Sequence, residues 1–327
     1  MSDRVQLAVV GGGPSGLGAA IAAASAGARV VLFDENRDAG GQLRYRSRPF
    51  EGSGSDVTGP ELAVSLTGQA IAAGVDIRTD CRVWGAFQGR ALGVECDGAS
   101  IVIEAERILF ATGSVDRSQP FPGGSLPGVF TARAVQILLN VHLMRPGRRF
   151  ALIADRPLAT ELARDIELSD GEVVITLPAS MPGVVAHGNG GVERLTANGS
   201  TYDVDVIVIA AGRLPDAGLA LMAECAAGYS PALGGFVPRV DDWMETTVTG
   251  IFAAGDCVGA CDADVALAEG AFAGISVAGS LGLVRQTRRA EARAAYLKAA
   301  GNRAGALSNV ASSFDQIDRV STGATAE

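Results

Sequence analysis

The sequence predicts an α/β protein of two successive βαβ-type domains, the first interrupted by the second. Three observations carry that prediction. The apolar run Val5–Val10 feeds into Gly11-Gly12-Gly13-Pro14-Ser15-Gly16 and then an alanine-rich stretch from Ala19 to Ala26, a strand, a glycine turn and a helix. A second strand–helix–strand passage begins at Arg149-Phe150-Ala151-Leu152-Ile153-Ala154. Beyond it the character of the first part returns in Gly250-Ile251-Phe252-Ala253-Ala254-Gly255-Asp256, followed by an Ala/Gly helix from Ala263 to Leu281. The expected fold is therefore two Rossmann-like three-layer domains, the first discontinuous.

The glycine turn has a chemical reading. Gly11 serves the tight turn, Gly13 the close approach of backbone to a pyrophosphate, and Gly16 the close packing of helix on strand. Pro14 and Ser15 open the helix, whose N-terminus favours negative charge. The next strand, Arg29 to Phe33, ends in Asp34-Glu35, and Asp34 lies 23 residues after Gly11, near the spacing of a ribose-binding carboxylate. A dinucleotide site is expected here.

The remaining elements follow in order. Gly40-Gly41-Gln42 and a Gly/Ser/Asp-rich loop (Glu51 to Pro60) lead to a helix from Glu61 to Ala73. Strands are expected at 75–78, 82–84, 91–94 and 100–103, then a buried strand beginning at Arg107 and ending in Ala111-Thr112-Gly113. The Pro/Gly stretch from Gln119 to Pro127 marks a boundary. The middle domain then has helices at 132–143 and 159–168 and strands at 149–154, 172–176 and 204–210. A charged helix near 284–299 follows the return segment. The expected division is 1–116 with 235–300 as the first domain, 117–234 as the second, and 301–327 as a flexible tail.

The second domain reads as a degraded copy of the first. Ala154-Asp155-Arg156-Pro157-Leu158-Ala159 stands where the glycine turn would be and keeps none of its glycines. An aspartate where phosphate should approach is unfavourable. The next strand runs into Thr176-Leu177-Pro178-Ala179-Ser180, with neither a carboxylate for a ribose nor an arginine for a 2′-phosphate. A degenerate NAD(P)-binding-like scaffold is expected.

Composition narrows the function classes. The 327 residues suit two domains, and 48% hydrophobic residues with 43 glycines suit close-packed α/β cores. A net charge of −9 argues against nucleic acid and anionic membrane as partners. The Gly/Ala run at 10–28 reads as a buried first helix rather than a membrane span. The apolar N-terminal stretch is already the first strand, not a cleavable leader. Five cysteines (Cys81, Cys96, Cys225, Cys257, Cys261), odd in number and irregular in spacing, read as reduced thiols of a cytoplasmic protein. Two cysteines and the distant His142 (expected in a helix) and His187 (expected in a glycine-rich loop) make no metal site. No catalytic constellation is legible.

Four separated segments resemble the flavoproteins with two dinucleotide-binding domains: Gly11–Gly16, Gly40-Gly41-Gln42, Ala111-Thr112-Gly113 and Gly250–Cys257. The resemblance covers the chain to about residue 282. It implies FAD at the first site, with Asp256 after Gly255 holding the ribityl chain and Gly41-Gln42 running beside the flavin. Arg44 would offset negative charge on reduced flavin or the pyrophosphate. Val83 would offer its backbone to adenine, and Val265 its N–H to the flavin carbonyl at a helix N-terminus.

Within that group, residues 111–132 and 224–241 resemble the FAD-containing α subunits of heteromeric amine and imino-acid dehydrogenases, of the opine oxidase, hydrogen cyanide synthase, D-hydroxyproline or proline dehydrogenase and heterotetrameric sarcosine oxidase type. The resemblance implies an electron-transferring subunit. Its partners would be a D-amino-acid-oxidase-like FAD subunit that oxidises the C–N bond and a small iron-sulfur subunit, with FMN or [2Fe-2S] at an interface or on those partner chains. Family members often continue into a cysteine-rich [2Fe-2S] module, whereas nothing after Cys261 could ligate iron. Cys257-Val258-Gly259-Ala260-Cys261 is CxxxC, not the dithiol of a disulfide reductase. Two alternatives stand beside this reading: a standalone NAD(P)H-dependent flavin reductase of thioredoxin-reductase type without the dithiol, and a non-catalytic scaffold that holds FAD to stabilise a partner.

Overall fold

The computed structural model describes residues 5–46, 57–156, 158–301, 303 and 305–307. Residues 51–56 of the expected loop, Pro157 of the degraded turn, and nearly all of the expected tail lie outside the described residues.

The chain forms two compact units, one of residues 1–43, 61–114 and 214–327, the other of 44–60 and 115–213. The first is discontinuous. The second ends at Arg213 rather than at residue 234, because residues 214–234 pack with the first unit, where the helix Gly218–Met222 lies against the strand Cys81–Phe87.

The first unit is built on a parallel sheet in the order Asp76–Arg78, Val30–Phe33, Val5–Val10, Ala99–Phe110, with Ile251–Ala253 paired to the far side of Ala99–Phe110. Ala99–Phe110 is one twelve-residue strand where the sequence suggests two. Its buried C-terminal half belongs to the parallel sheet, and its N-terminal half closes an antiparallel meander with Cys81–Phe87 and Ala91–Cys96. Two helices of small residues, Pro14–Ser25 and Ala263–Ser280, pack closely together. A Cβ on Gly270 would lie 2.0 Å from Ser15 O, and one on Gly274 2.3 Å from Ala19 O, so that contact requires glycine.

The second unit holds a four-stranded parallel sheet in the order Glu172–Leu177, Arg149–Ala154, Val206–Ala210, Val129–Thr131. Strand alternation splits its core in two. Phe150, Leu152, Val206 and Val208 meet Val135 and Leu139 of the helix Ala132–Asn140 and Leu162 and Ile166 of the helix Leu158–Leu168. Ala151, Ile153, Ile207 and Ile209 meet Ala186, Leu195 and Ala197 of a three-stranded antiparallel sheet, Val185–His187, Arg194–Ala197 and Ser200–Asp203. Three layers result, one of them a sheet that the sequence pattern did not reveal.

Candidate cofactor-binding site

The site begins at the glycine turn between Val5–Val10 and the helix Pro14–Ser25. Gly11 sits at φ +102, and a Cβ there would lie 2.3 Å from Ala111 O. A Cβ on Gly16 would lie 1.8 Å from Gly11 O, so helix and turn meet backbone to backbone. Gly13 differs. Its only neighbour within 4 Å of an added Cβ is Gly41 Cα at 3.9 Å, which leaves open space over the turn. No side chain caps the helix, its first turn carries no acid, and Ser15 Oγ is buried without a hydrogen-bond partner. An uncapped N-terminus, an open glycine and an orphaned buried hydroxyl fit a phosphate-bearing ligand.

The two acidic residues after the second strand separate in role. Asp34 is buried, and its Oδ2 accepts from Gly12 N at 2.7 Å, while Oδ1 accepts from Asn36 N and Nδ2 at 2.8 and 2.9 Å. It braces the glycine turn. Glu35 is exposed and lies 3.5 Å from Arg82 Nε.

Asp256 is the centre of the second cluster. It lies in a short turn of 3₁₀ helix, Gly255–Val258, after the strand Ile251–Ala253, and is 8% exposed. Its Oδ2 accepts from Ser114 Oγ at 2.8 Å and from Gln42 Nε2 at 3.0 Å, and its Oδ1 from Cys261 N at 3.0 Å. Gln42 Nε2 also lies 3.1 Å from Ser114 Oγ. A Cβ on Gly255, at φ +82, would lie 2.6 Å from Ser15 Cβ, so this turn passes against the start of the first helix. Three of the four resembling segments thus meet here, with Ala111 closing the turn as the fourth: Ala111 N donates to Val10 O at 2.8 Å.

The other expected residues are more dispersed. Thr112 Oγ1 donates to Asp216 O at 2.6 Å, and Gly113 follows at φ +85. A Cβ on Gly41 would lie 2.8 Å from Gly13 Cα, which sets that turn against the glycine loop. Arg44 lies in the same 3₁₀ turn, Gly41–Tyr45, but falls in the second unit. Val83 is half-buried in the meander, opposite Val94. Val265 is half-buried in the first turn of Ala263–Ser280. Sequence reasoning missed Ser114, although it directly follows Ala111-Thr112-Gly113, and missed Glu269, an acid in the middle of an Ala/Gly helix that is fully buried and accepts from Gly255 N at 2.7 Å.

The cysteines correct one expectation. Cys81 and Cys96 form a disulfide across the antiparallel pair Cys81–Phe87 and Ala91–Cys96, where register sets them directly opposite at a Cα separation of 4.5 Å. Cys225, Cys257 and Cys261 form no disulfide. Cys257 is buried, with its thiol donating to Phe110 O and Ala254 O, and burial pushes it up to about 12. It is a packing residue with no thiolate character near neutrality. The histidines also differ from expectation: His142 follows the end of the helix Ala132–Asn140, and His187 ends a strand, its Nε2 3.0 Å from Thr196 Oγ1. Among the described residues no group of His, Cys, Asp or Glu could hold a metal ion.

In the second unit, Asp155 Oδ1 accepts from Ala179 N at 3.1 Å after the strand Arg149–Ala154. At the carboxyl ends of the parallel strands lies a pocket of about 250 Å³, lined by Phe121, Ile153, Met181, Pro182 and Ile209 among others, with no charged residue in its lining. This is the position where open α/β sheets bind ligands. It offers no cation to a phosphate.

The family described as pyridine nucleotide-disulphide oxidoreductase matches residues 5–145 and 123–279. The chain is similar to an opine oxidase subunit of Agrobacterium tumefaciens (strain Ach5), 28% identical over 87% of this chain and 67% of the relative. It is similar also to the like-named opine oxidase subunit of Rhizobium meliloti (strain 1021), 30% identical over 89% of this chain and 75% of the relative. Among solved structures, L-proline dehydrogenase from P. horikoshii superposes with a TM-score of 0.77 at 26% identity, over 88% of this chain and 59% of that one. The resemblance read from the sequence, the two-domain Rossmann-like fold and the oxidoreductase class are all supported by these matches. No helix among the described residues is long and apolar enough to cross a membrane.

Proposed function

Since the chain belongs to the pyridine nucleotide-disulphide oxidoreductase family, whose chemistry implies FAD, we propose that it is an FAD-dependent, electron-transferring α subunit of a multi-subunit amine or imino-acid dehydrogenase. The observation that carries the reading is the convergence of Gln42, Ser114 and Cys261 N on the Asp256 carboxylate, beside an uncapped glycine turn with an orphaned Ser15 hydroxyl. FAD, when bound, supplies reversible two-electron and one-electron chemistry.

The protein's own groups bind and orient. Gly13 opens the approach to the pyrophosphate, Gly11 and Gly16 let the turn close against Ala111 and the first helix, and Pro14 and Ser15 begin the helix that faces it. Glu35 meets the adenosine ribose while Asp34 braces the turn. Val83 lies along the adenine side. Asp256 accepts from the ribityl hydroxyls, with Gln42 and Ser114 holding its carboxylate in place. Gly41, Ala111, Thr112, Gly113 and Gly255 let backbone pass close to the cofactor. Val265 offers a helix N-terminal N–H, and Arg44 a positive charge, to reduced flavin.

Substrate oxidation falls to a partner of D-amino-acid-oxidase type, with any iron-sulfur cluster or FMN at an interface or on a partner chain. The relatives named as oxidase subunits support this. The reading keeps the protein in the cytoplasm, where Cys225, Cys257 and Cys261 remain thiols. The Cys81–Cys96 bridge is the feature that this placement has to accommodate. Co-expression with neighbouring gene products, purification through a tag on this chain, and a flavin and iron count test the reading. An amine-oxidising complex containing this chain and its FAD is expected. A lone chain whose flavin is rapidly reduced by NADPH would make it a standalone reductase, and full turnover by a complex whose Asp256→Ala chain lacks FAD would make it a scaffold.

A further inference from the structure

Behind the Asp256 turn lies a buried ion pair that binding of a cofactor does not by itself require. Glu269 is 0% exposed, and the Arg303 side chain is 8% exposed. Arg303 meets Glu269 in a fork, Nη2 to Oε1 and Nε to Oε2, each at 3.0 Å. Tyr296 OH donates to Oε2 at 2.7 Å, and its ring stacks on Phe272 at 5.3 Å. The remaining bonds of the pair go to the turn. Glu269 Oε1 accepts from Gly255 N at 2.7 Å, and Arg303 donates to Gly255 O at 3.0 Å, to Gly259 O, and to Ala260 O at 3.3 Å.

That geometry grips the chain on both sides of Asp256. Gly255 and Gly259 sit at φ +82 and +136, so the turn carries two glycines whose backbone has wide freedom. Its shape must be imposed from outside. An apolar cluster would stabilise the fold as well as a buried ion pair does, because desolvation offsets much of the attraction. It could not orient carbonyls and an N–H. We propose that Arg303 and Glu269 form a latch that positions Asp256, by fixing Gly255 and the Gly259-Ala260 carbonyls, for the ribityl chain of FAD. The latch ties residues after the last long helix, Gln286–Ala300, to the cofactor turn. It rests on the FAD reading above, and both are positioning residues.

Two variants test it. Arg303→Lys keeps a charge opposite Glu269 but cannot span the fork. Arg303→Met combined with Glu269→Gln removes both charges and keeps an acceptor for Gly255 N. Amide exchange over residues 255–261 in the apo-protein, FAD affinity by fluorescence titration, and melting temperature are measured on each. The latch predicts faster exchange confined to that turn, FAD affinity lowered about tenfold, which is roughly 1.4 kcal/mol, and a melting temperature of the apo double variant close to the parent's. Unchanged exchange at 255–261 in both variants overturns it. So does faster exchange with FAD affinity within about twofold of the parent, a spread under ~0.5 kcal/mol. If the parent protein binds no FAD, the cofactor reading fails by itself, and the exchange measurement still decides whether the pair holds the turn.

Discussion

Gln42 Nε2 donates to Asp256 Oδ2 at 3.0 Å, across 214 positions of sequence. Ser114 donates to the same oxygen from the end of the segment Ala111–Ser114. A carboxylate accepts only, so Asp256 collects donors from two distant segments and from Cys261 just after its own turn, and draws the discontinuous unit together.

Asp256→Ala should weaken FAD binding by roughly ten- to a hundredfold, the worth of a charged hydrogen bond of about 1.5–3 kcal/mol. Gln42→Ala should cost less, about tenfold or under, because Ser114 still holds the carboxylate. Titration of apo-protein with FAD, read by flavin fluorescence, checks both. An Asp256→Ala chain with parental affinity would remove Asp256 from the site.

The glycine turn makes a sharper contrast. Gly16→Ala should destabilise the fold by about 1–3 kcal/mol or prevent folding, because its methyl meets Gly11 O. Gly13→Ala should leave stability within about 0.5 kcal/mol, since nothing but Gly41 Cα lies within 4 Å of the added methyl. Yet it should weaken FAD binding severalfold or more. Denaturant melts and FAD titrations on the pair separate a packing glycine from a binding one.

Thiol counting tests the disulfide. In the native protein only Cys261, the one cysteine outside the disulfide that is not buried, should react promptly with a thiol reagent. Denaturation without reductant should expose Cys225 and Cys257 as well, and reduction should add Cys81 and Cys96. Five thiols before reduction would mean that the bridge is absent in solution.

Cys257 predicts an alkaline limit. Its folded-state value, raised by burial to about 12 from 9.0, lies above that of the unfolded chain. Its contribution to stability is therefore full below pH 9 and is lost as pH rises toward 12, at up to about 1.4 kcal/mol per pH unit. The Tyr296 hydroxyl, raised by burial and by Glu269, acts in the same direction. Urea midpoints between pH 8 and 11 should fall in the parent and fall less steeply in Cys257→Ala. Equal slopes would assign the alkaline loss elsewhere.

Much of the fold was legible because its signals are local. Val5–Val10, Arg149–Ala154 and Ala263–Ser280 follow from apolar runs and glycine turns almost to the residue. The three-stranded sheet of the second unit escaped because its strands are three or four residues long, too short for alternation to register. Residues 214–234, expected with the second domain, group with the first unit through packing, which no shift in composition marks. The disulfide escaped because an odd count with irregular spacing hides a pair that only strand register brings opposite.

The sequence by itself determined that the first turn keeps three glycines and that the second keeps none, since backbone approach depends on which positions lack a Cβ. It also determined the family. Only the tertiary structure decided how that turn is completed. Asp34 braces it rather than standing free, Gln42 and Ser114 hold Asp256, and Glu269 with Arg303 holds Gly255. Those choices rest on hydrogen bonds between residues far apart in the chain. A donor and an acceptor carry no mark in sequence of the partner that folding will supply.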